Sequence, residues 1–145
     1  EHDLVIAGGK GWKSERILRT WRNSSYRDRI KFLGYIPRQD KKYLYKAASI
    51  FSYPSFYEGF GFPPLEAMAV GTPVLTSSVS SLPEVVGEAA VLTDPHNIKK
   101  IAYYMEVMLK DDKLRQQLIE KGKERVKMYD WDNSARQYLQ LLTSI

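Results

Sequence analysis

Residues 49–77 read Ser49-Ile50-Phe51-Ser52-Tyr53-Pro54, then Ser55-Phe56-Tyr57-Glu58-Gly59-Phe60-Gly61-Phe62, then Pro63-Pro64-Leu65-Glu66-Ala67-Met68-Ala69-Val70-Gly71, then Thr72-Pro73-Val74-Leu75-Thr76-Ser77. Ser49–Tyr53 is a short apolar and aromatic run closed by a proline, which reads as a strand. Pro63-Pro64 suits the first helical turn, where a missing N–H costs little. The helix runs to about Val70 and stops at Gly71. Pro73–Ser77 is again a strand. A strand, a helix and a strand in succession imply a right-handed crossover and a parallel sheet covered on both faces.

The same alternation continues on either side. Leu4–Ala7 is an apolar run ending at Gly8-Gly9, as expected of a strand buried on both faces. Ser14 is placed to cap a helix with Ile17, Leu18 and Trp21 on its inner face and Arg16, Arg19 and Arg22 outside. Ile30–Gly34 is a second strand, followed by a short helix capped by Asp40 with Tyr43, Leu44, Ala47 and Ala48 inward. Ser81-Leu82-Pro83-Glu84 matches a capping box before one helical turn that ends near Gly87, and Ala90–Thr93 is a fifth strand. From Asp94-Pro95 onward the chain reads as helix, with three apolar stripes. They are Ile98, Ile101, Ala102, Met105, Met108 and Leu109; Leu114, Leu118, Ile119 and Val126; and Ala135, Tyr138, Leu139 and Leu142. The expectation is one Rossmann-like α/β domain over residues 1–145, with the C-terminal helices from about 95.

Composition bounds the function. A chain of 145 residues with 43% apolar and 27% charged residues has the size of one domain with a real core. No apolar run approaches a membrane span, and the acidic start Glu1-His2-Asp3 is unlike a signal peptide. The absence of cysteine excludes a disulfide framework, a zinc–thiolate cluster and a cysteine nucleophile. The net charge of +5 is uneven. Residues 10–46 carry 12 Lys and Arg against Glu15, Asp28 and Asp40, whereas residues 47–97 carry none and hold Glu58, Glu66, Glu84, Glu88 and Asp94. A basic block invites a nucleic-acid reading. Outward helical spacing of its arginines favours a solvated face instead.

Ligands of open parallel sheets bind beyond the carboxyl ends of the strands. The loops Gly8–Gly11, Gly34–Pro37, Pro54–Phe62 and Ser77–Ser81 are therefore the candidates, and Pro54–Phe62 is the richest. Gly59 and Gly61 let a ligand approach the main chain, and successive amides before a helix N-terminus favour phosphate. Glu58 stands at the entrance to that loop and Glu66 about one turn into the helix. Carboxylates repel an anion, so beside it their use is to accept hydrogen bonds from hydroxyls. A sugar joined to a phosphate asks for both devices. The helix dipole alone also favours a glutamate in the first turn, which leaves Glu66 open between ligand and helix. Glu58, in a glycine and aromatic turn, lacks that excuse. His96 and His2 read as exposed, Glu84 as a capping residue, Ser77, Ser78 and Ser80 as turn hydroxyls, and the Met105–Met108 stripe as core. No serine and histidine stand at a spacing that suggests a hydrolase triad.

The run EGFGFPPLEAMAVGTPVLTS, with seven residues between Glu58 and Glu66, resembles the signature of the retaining GT-B-fold glycosyltransferases of family 4 (group 1). SSLPEVVGEAAVLTDP, LVIAGGKGW, FLGYIP and the helix introduced by Trp131-Asp132 extend the resemblance over essentially the whole chain. It implies the C-terminal, donor-binding domain of a two-domain enzyme, Rossmann-like and without its first strand–helix unit. It further implies that Glu66 binds the ribose hydroxyls and that Glu58 is the catalytic carboxylate beside the transferred sugar. The neighbourhood of Gly59 and the amides of Phe60, Gly61 and Phe62 would face sugar and diphosphate oxygens. Leu65 would pack near the ribose, and Tyr35 and Ile36 would meet the base. No metal and no cofactor is implied, only a nucleoside-diphosphate sugar, with GDP-mannose favoured and a UDP-sugar as the alternative.

The family's diphosphate-binding Arg and Lys lie in a unit that precedes this chain's pattern, as does the N-terminal domain with most acceptor contacts. The expected partners are thus the donor and that N-terminal domain, not nucleic acid. The expected setting is cytoplasmic, with peripheral association at the inner membrane face through the basic block. A non-catalytic nucleotide or nucleic-acid binding module and a GT-B-like sugar-nucleotide epimerase are the alternatives.

Overall fold

Leu4–Ala7 forms strand β1 and pairs in parallel with β2, Ile30–Gly34. The register sets Leu4 opposite Ile30 and slips between Ile6 and Ala7. In this computed structural model, which describes residues 2–9, 11 and 14–144, the chain divides into two compact units, Glu1–Lys41 and Lys42–Ile145. Part of the Gly8–Gly11 loop and of the GGKGW run, namely Lys10 and Trp12, lies outside the described residues.

In the first unit the strand expected to be buried on both faces is exposed, with Leu4 at 46% and Val5 at 44%. The cause is the size of the sheet: two strands leave two edges, and helix α1, Glu15–Arg22, supplies eight residues of cover with none of them buried. Its Trp21 packs edge-on against Phe32 at 5.3 Å, while Ile17 faces solvent. Ser14 occupies the N-cap position without a side-chain capping bond. Helix α2, Arg38–Ala47, starts directly after Pro37, whose carbonyl accepts the N–H groups of Asp40 and Lys41. Asp40 therefore lies in the first turn, not at the cap. Tyr43 and Ala47 are exposed, contrary to the inward face expected of them.

The second unit holds strands β3, Phe51–Tyr53, β4, Val74–Ser77, and β5, Ala90–Thr93, in the parallel order β3-β4-β5. Register makes the two faces legible. Phe51, Val74 and Ala90 stand in one row and pack with Leu65, Ala67 and Met68 of helix α3, Phe62–Ala69, and Val85 and Val86 of helix α4, Leu82–Val86. Leu75 and Val91 stand in the next row and pack on the opposite face. Their neighbours are Ile101, Met105 and Met108 of helix α5, Ile98–Lys110, and Leu114 and Leu118 of helix α6, Asp112–Val126. Helices thus cover both faces of a parallel sheet, and the central strand β4 is buried along its whole length, as a doubly covered strand must be.

Two stripes differ from expectation. Helix α5 begins at Ile98 under an Asn97 cap, because Asp94 turns its side chain to the His96 N–H. Ile98 and Ala102 accordingly lie outside, and the inward set is Ile101, Met105 and Met108. Helix α7, Trp131–Thr143, is capped by Asp130, but its stripe of Tyr138, Leu139 and Leu142 is exposed and none of its residues is buried. Apolar periodicity reports that a helix has a face to bury, not what buries it. No described helix is long and apolar enough to cross a membrane.

Candidate active site

The carboxyl ends of β3 and β4 deliver two loops, 54–61 and 78–81, to one edge of the sheet. Glu58 sits in the first loop, half-buried, with one carboxylate oxygen already engaged. Oε1 accepts the Tyr53 hydroxyl at 2.6 Å and the Ser55 hydroxyl at 2.7 Å. Among the described residues no donor reaches Oε2. Burial, then the bond to Glu58, then its negative charge push the Tyr53 phenol up to about 12. Tyr53 is itself placed by its strand, where the Thr76 hydroxyl donates to its carbonyl at 2.9 Å.

The main chain of Glu58 is tied to the second loop. Its N–H donates to the Ser80 hydroxyl at 2.9 Å, and that hydroxyl donates to the Glu58 carbonyl at 3.0 Å. The Ser81 hydroxyl faces the carbonyls of Glu58 at 2.9 Å and Phe60 at 2.6 Å. Ser81 is the N-cap residue of α4 but makes no side-chain cap bond. The capping box expected with Glu84 does not form: Ser81 has a helical backbone conformation (φ −75, ψ −15) instead of the extended one of a capping residue, and its hydroxyl is turned to the loop carbonyls. Glu84 is exposed, and its carbonyl and that of Val85 receive the Arg125 guanidinium, with Arg125 Nε 2.9 Å from Val85.

Glu66 lies in α3, where its Oε2 accepts the Tyr45 hydroxyl at 3.0 Å. Tyr45 is fixed from two sides. Its ring meets Phe51 edge-on at 5.0 Å, and its carbonyl accepts the Thr72 hydroxyl at 2.7 Å. Burial first, then Glu66, raises its phenol well above the ordinary tyrosine range. Both glutamates are thus held by a tyrosine that stays protonated and donating at neutral pH.

The two glycines between them differ. Gly61 has φ 121, and a Cβ there would stand 2.8 Å from Cδ2 of the fully buried Leu82. Gly59 is not in the left-handed region, and among the described residues nothing beyond its chain neighbours lies within 4 Å of a Cβ there. No described residue requires it to be small. Phe60 wedges between Phe62 at 4.8 Å and Tyr129 at 5.6 Å, and Phe62 stacks on Trp131 at 6.4 Å. The Phe60, Gly61 and Phe62 amides donate to no acceptor among the described residues. Pro63 and Pro64 have no N–H, so Phe62 is the last residue before Leu65 that offers an amide donor.

The remaining residues singled out by sequence fall elsewhere. Leu65 is 7% exposed and belongs to the core, which leaves its side chain little surface for a ribose. Tyr35 and Ile36 belong to the first unit, directly after β2 and Gly34, with Tyr35 79% exposed. His96 is exposed beside Phe56, ring to ring at 4.8 Å. Ser77 and Thr93, opposite each other in register, are buried with hydroxyls that have no partner among the described residues. A concavity of about 620 Å³ lined by Glu88, Glu120 and Glu124 against Lys121, Lys123 and Arg125 contains neither Glu58 nor Glu66. The paired carboxylates mark the site better than that concavity, whose charges largely neutralise each other. Sequence reading missed Tyr45, Tyr53 and Ser55 as the holders of the carboxylates, and Ser80 and Ser81 as the holders of the Glu58 main chain. For Tyr53 the signal was present: the last residue of a strand, five before the glutamate, on a sheet edge already ranked for ligands.

Residues 1–125 match the family model described as glycosyl transferases group 1. The O-antigen chain mannosyltransferase B of Escherichia coli is 40% identical over 136 residues, covering 94% of this chain and 36% of that protein. The serotype-specific mannosyltransferase WbdA of Escherichia coli is 36% identical over 122 residues, 83% of this chain and 15% of its own length. The chain therefore spans well under half of the curated relatives it matches. Among solved structures, sucrose-phosphate synthase from Thermosynechococcus elongatus superposes with TM-score 0.86 at 29% identity, over 99% of this chain and 39% of that one. Anabaena Alr3699/HepE in complex with UDP-glucose gives TM-score 0.87 at 20% identity over 99% of this chain and 41% of that one, a likeness of fold.

Proposed function

Because the chain belongs to the glycosyl transferase group 1 family, we propose that it is the donor-binding half of an enzyme that moves a hexose, with retention at the anomeric carbon, from a nucleoside diphosphate to a hydroxyl acceptor. The observation that carries this reading is the Glu58 carboxylate, with Oε1 anchored by Tyr53 and Ser55 and Oε2 open at the carboxyl edge of the sheet.

In this reading Glu66, aimed by Tyr45, accepts hydrogen bonds from the ribose hydroxyls. The amides of Phe60, Gly61 and Phe62 meet donor oxygens, and Gly59 lets the donor lie close to the main chain. Tyr35 and Ile36 meet the base. As the bond from the anomeric carbon to the diphosphate breaks, its electron pair leaves on the phosphate oxygen and positive charge develops on the sugar. Oε2 of Glu58 stabilises that charge and holds a sugar hydroxyl. The acceptor oxygen attacks from the face the diphosphate leaves and passes its proton to the departing oxygen. The reading asks for no metal, so transfer that survives chelation of divalent ions is expected.

GDP-mannose is the proposed donor, supported by the two mannosyltransferase relatives. A UDP-sugar is the competitor, as the UDP-glucose complex of a fold neighbour illustrates. A second, N-terminal domain supplies acceptor contacts, and the exposed Arg16, Arg19 and Arg22 bring the enzyme to the anionic inner face of a membrane where a lipid-linked acceptor resides. Flotation with liposomes of rising anionic-lipid content tests the last point; binding independent of that content contradicts it. Transfer itself is tested by donor-dependent product formation, with anomeric configuration read by nuclear magnetic resonance. An inverted product contradicts retention.

A further inference from the structure

We propose that Ser80 is a positioning residue for Glu58, a hydroxyl clamp from the β4–α4 turn that fixes the main chain of the glutamate. This rests on the reading of Glu58 as the carboxylate beside the transferred sugar and deepens it.

Three observations meet at this serine. Its hydroxyl uses both of its functions on one residue 22 positions away, accepting from the Glu58 N–H and donating to the Glu58 carbonyl. The Ser81 hydroxyl cannot replace it: it has one proton, its shorter contact is to Phe60, and it leaves the Glu58 N–H untouched. Finally, among the described residues Ser80 is the only non-glycine with positive φ, at 54°. Glycine adopts that conformation without strain. The turn thus carries an unfavourable residue at the place where a side chain reaches Glu58, and only the hydroxyl accounts for it.

The clamp complements the bonds to the carboxylate. Tyr53 and Ser55 hold Oε1, while Ser80 holds the peptide units on either side of the Cα. With both ends fixed, the side chain has one direction left for Oε2. Ser80 is exposed, so water competes for its bonds and their worth to stability is small. Their effect is on position, and a misplaced catalytic group loses rate steeply.

The test compares Ser80→Gly, Ser80→Thr and Glu58→Gln in the full-length transferase, measuring melting temperature, donor KM and kcat. Glycine relieves the backbone strain and removes the hydroxyl. The melting temperature is expected to hold or rise while kcat falls about tenfold or more at a donor KM within about threefold. Threonine keeps the hydroxyl in a worse backbone, so the melting temperature is expected to fall while kcat stays within about threefold of the parent. Wild-type kcat in Ser80→Gly, or equal losses in both variants, overturns the clamp. If Glu58→Gln is impaired while Ser80→Gly is not, the clamp alone is wrong. If Glu58→Gln turns over like the parent, the reading of Glu58 is wrong and the clamp falls with it.

Discussion

The Tyr53 hydroxyl donates a 2.6 Å hydrogen bond to Oε1 of Glu58, the same oxygen that takes the Ser55 hydroxyl at 2.7 Å. The glutamate is therefore anchored through one oxygen and presented through the other. An ordinary surface carboxylate would be free at both, and a structural one would be satisfied at both.

That bond has a pH signature. The Tyr53 phenol is pushed up to about 12 from 10.0, by burial and then by Glu58. Between those values the unfolded chain has released a proton that the folded protein still holds. The stability involved is fully present below pH 10 and declines as the pH rises toward 12. Alkaline titration of tyrosinate absorbance, wild type minus Tyr53→Phe, is expected to show one late phenol. Glu58→Gln moves it down toward 10 but not all the way, because burial remains. An ordinary phenol in the difference titration contradicts the placement.

Glu58→Gln removes the charge but keeps the shape. A loss in kcat on the order of 10²–10³-fold is expected in the full-length enzyme, with little change in donor KM. Tyr53→Phe keeps the charge and loosens the carboxylate, for a loss of about 5–10-fold, the worth of one hydrogen bond. Steady-state kinetics of both variants checks the order. Equal losses would place the chemistry in the tyrosine as much as in the glutamate.

Gly61→Ala and Gly59→Ala separate fold from ligand. At Gly61 a methyl meets buried Leu82 at 2.8 Å in a backbone conformation L-residues avoid. Denaturant unfolding is expected to show a loss of about 2–4 kcal/mol. At Gly59 the methyl meets nothing, so stability should stay within about 0.5 kcal/mol. Weaker donor binding by Gly59→Ala at unchanged stability is the expected mark of a close-lying ligand.

Much of the second unit was readable because its neighbours in sequence are its neighbours in space. Pro63-Pro64 and Gly71 bracket α3 within a residue or two, and β4 and β5 fall where their apolar runs stand. Glu58 and Glu66 stand out as candidates because few loops, with the helices they enter, lie at the carboxyl ends of parallel strands. What could not be read is what meets them from a distance. Tyr45 precedes Glu66 by 21 residues, and Ser80 follows Glu58 by 22. Ser81 carried a local signal for a helix cap that a non-local pair of carbonyls overrode. The exposed β1 and α7 show the same limit from the other side: pattern predicts the element and its apolar face, but not its cover.

In the proposed function the chain binds a nucleotide sugar through Glu66. Calorimetric titration of the 145-residue chain with GDP, GDP-mannose, UDP and UDP-glucose, beside Glu66→Ala with circular dichroism as the folding control, tests it most directly. Millimolar or tighter binding of GDP-mannose is expected, with about 10-fold or greater weakening in a folded Glu66→Ala, the cost of losing charged hydrogen bonds to two hydroxyls. Heat from none of the four ligands at millimolar concentration, or equal binding by wild type and variant, would contradict it.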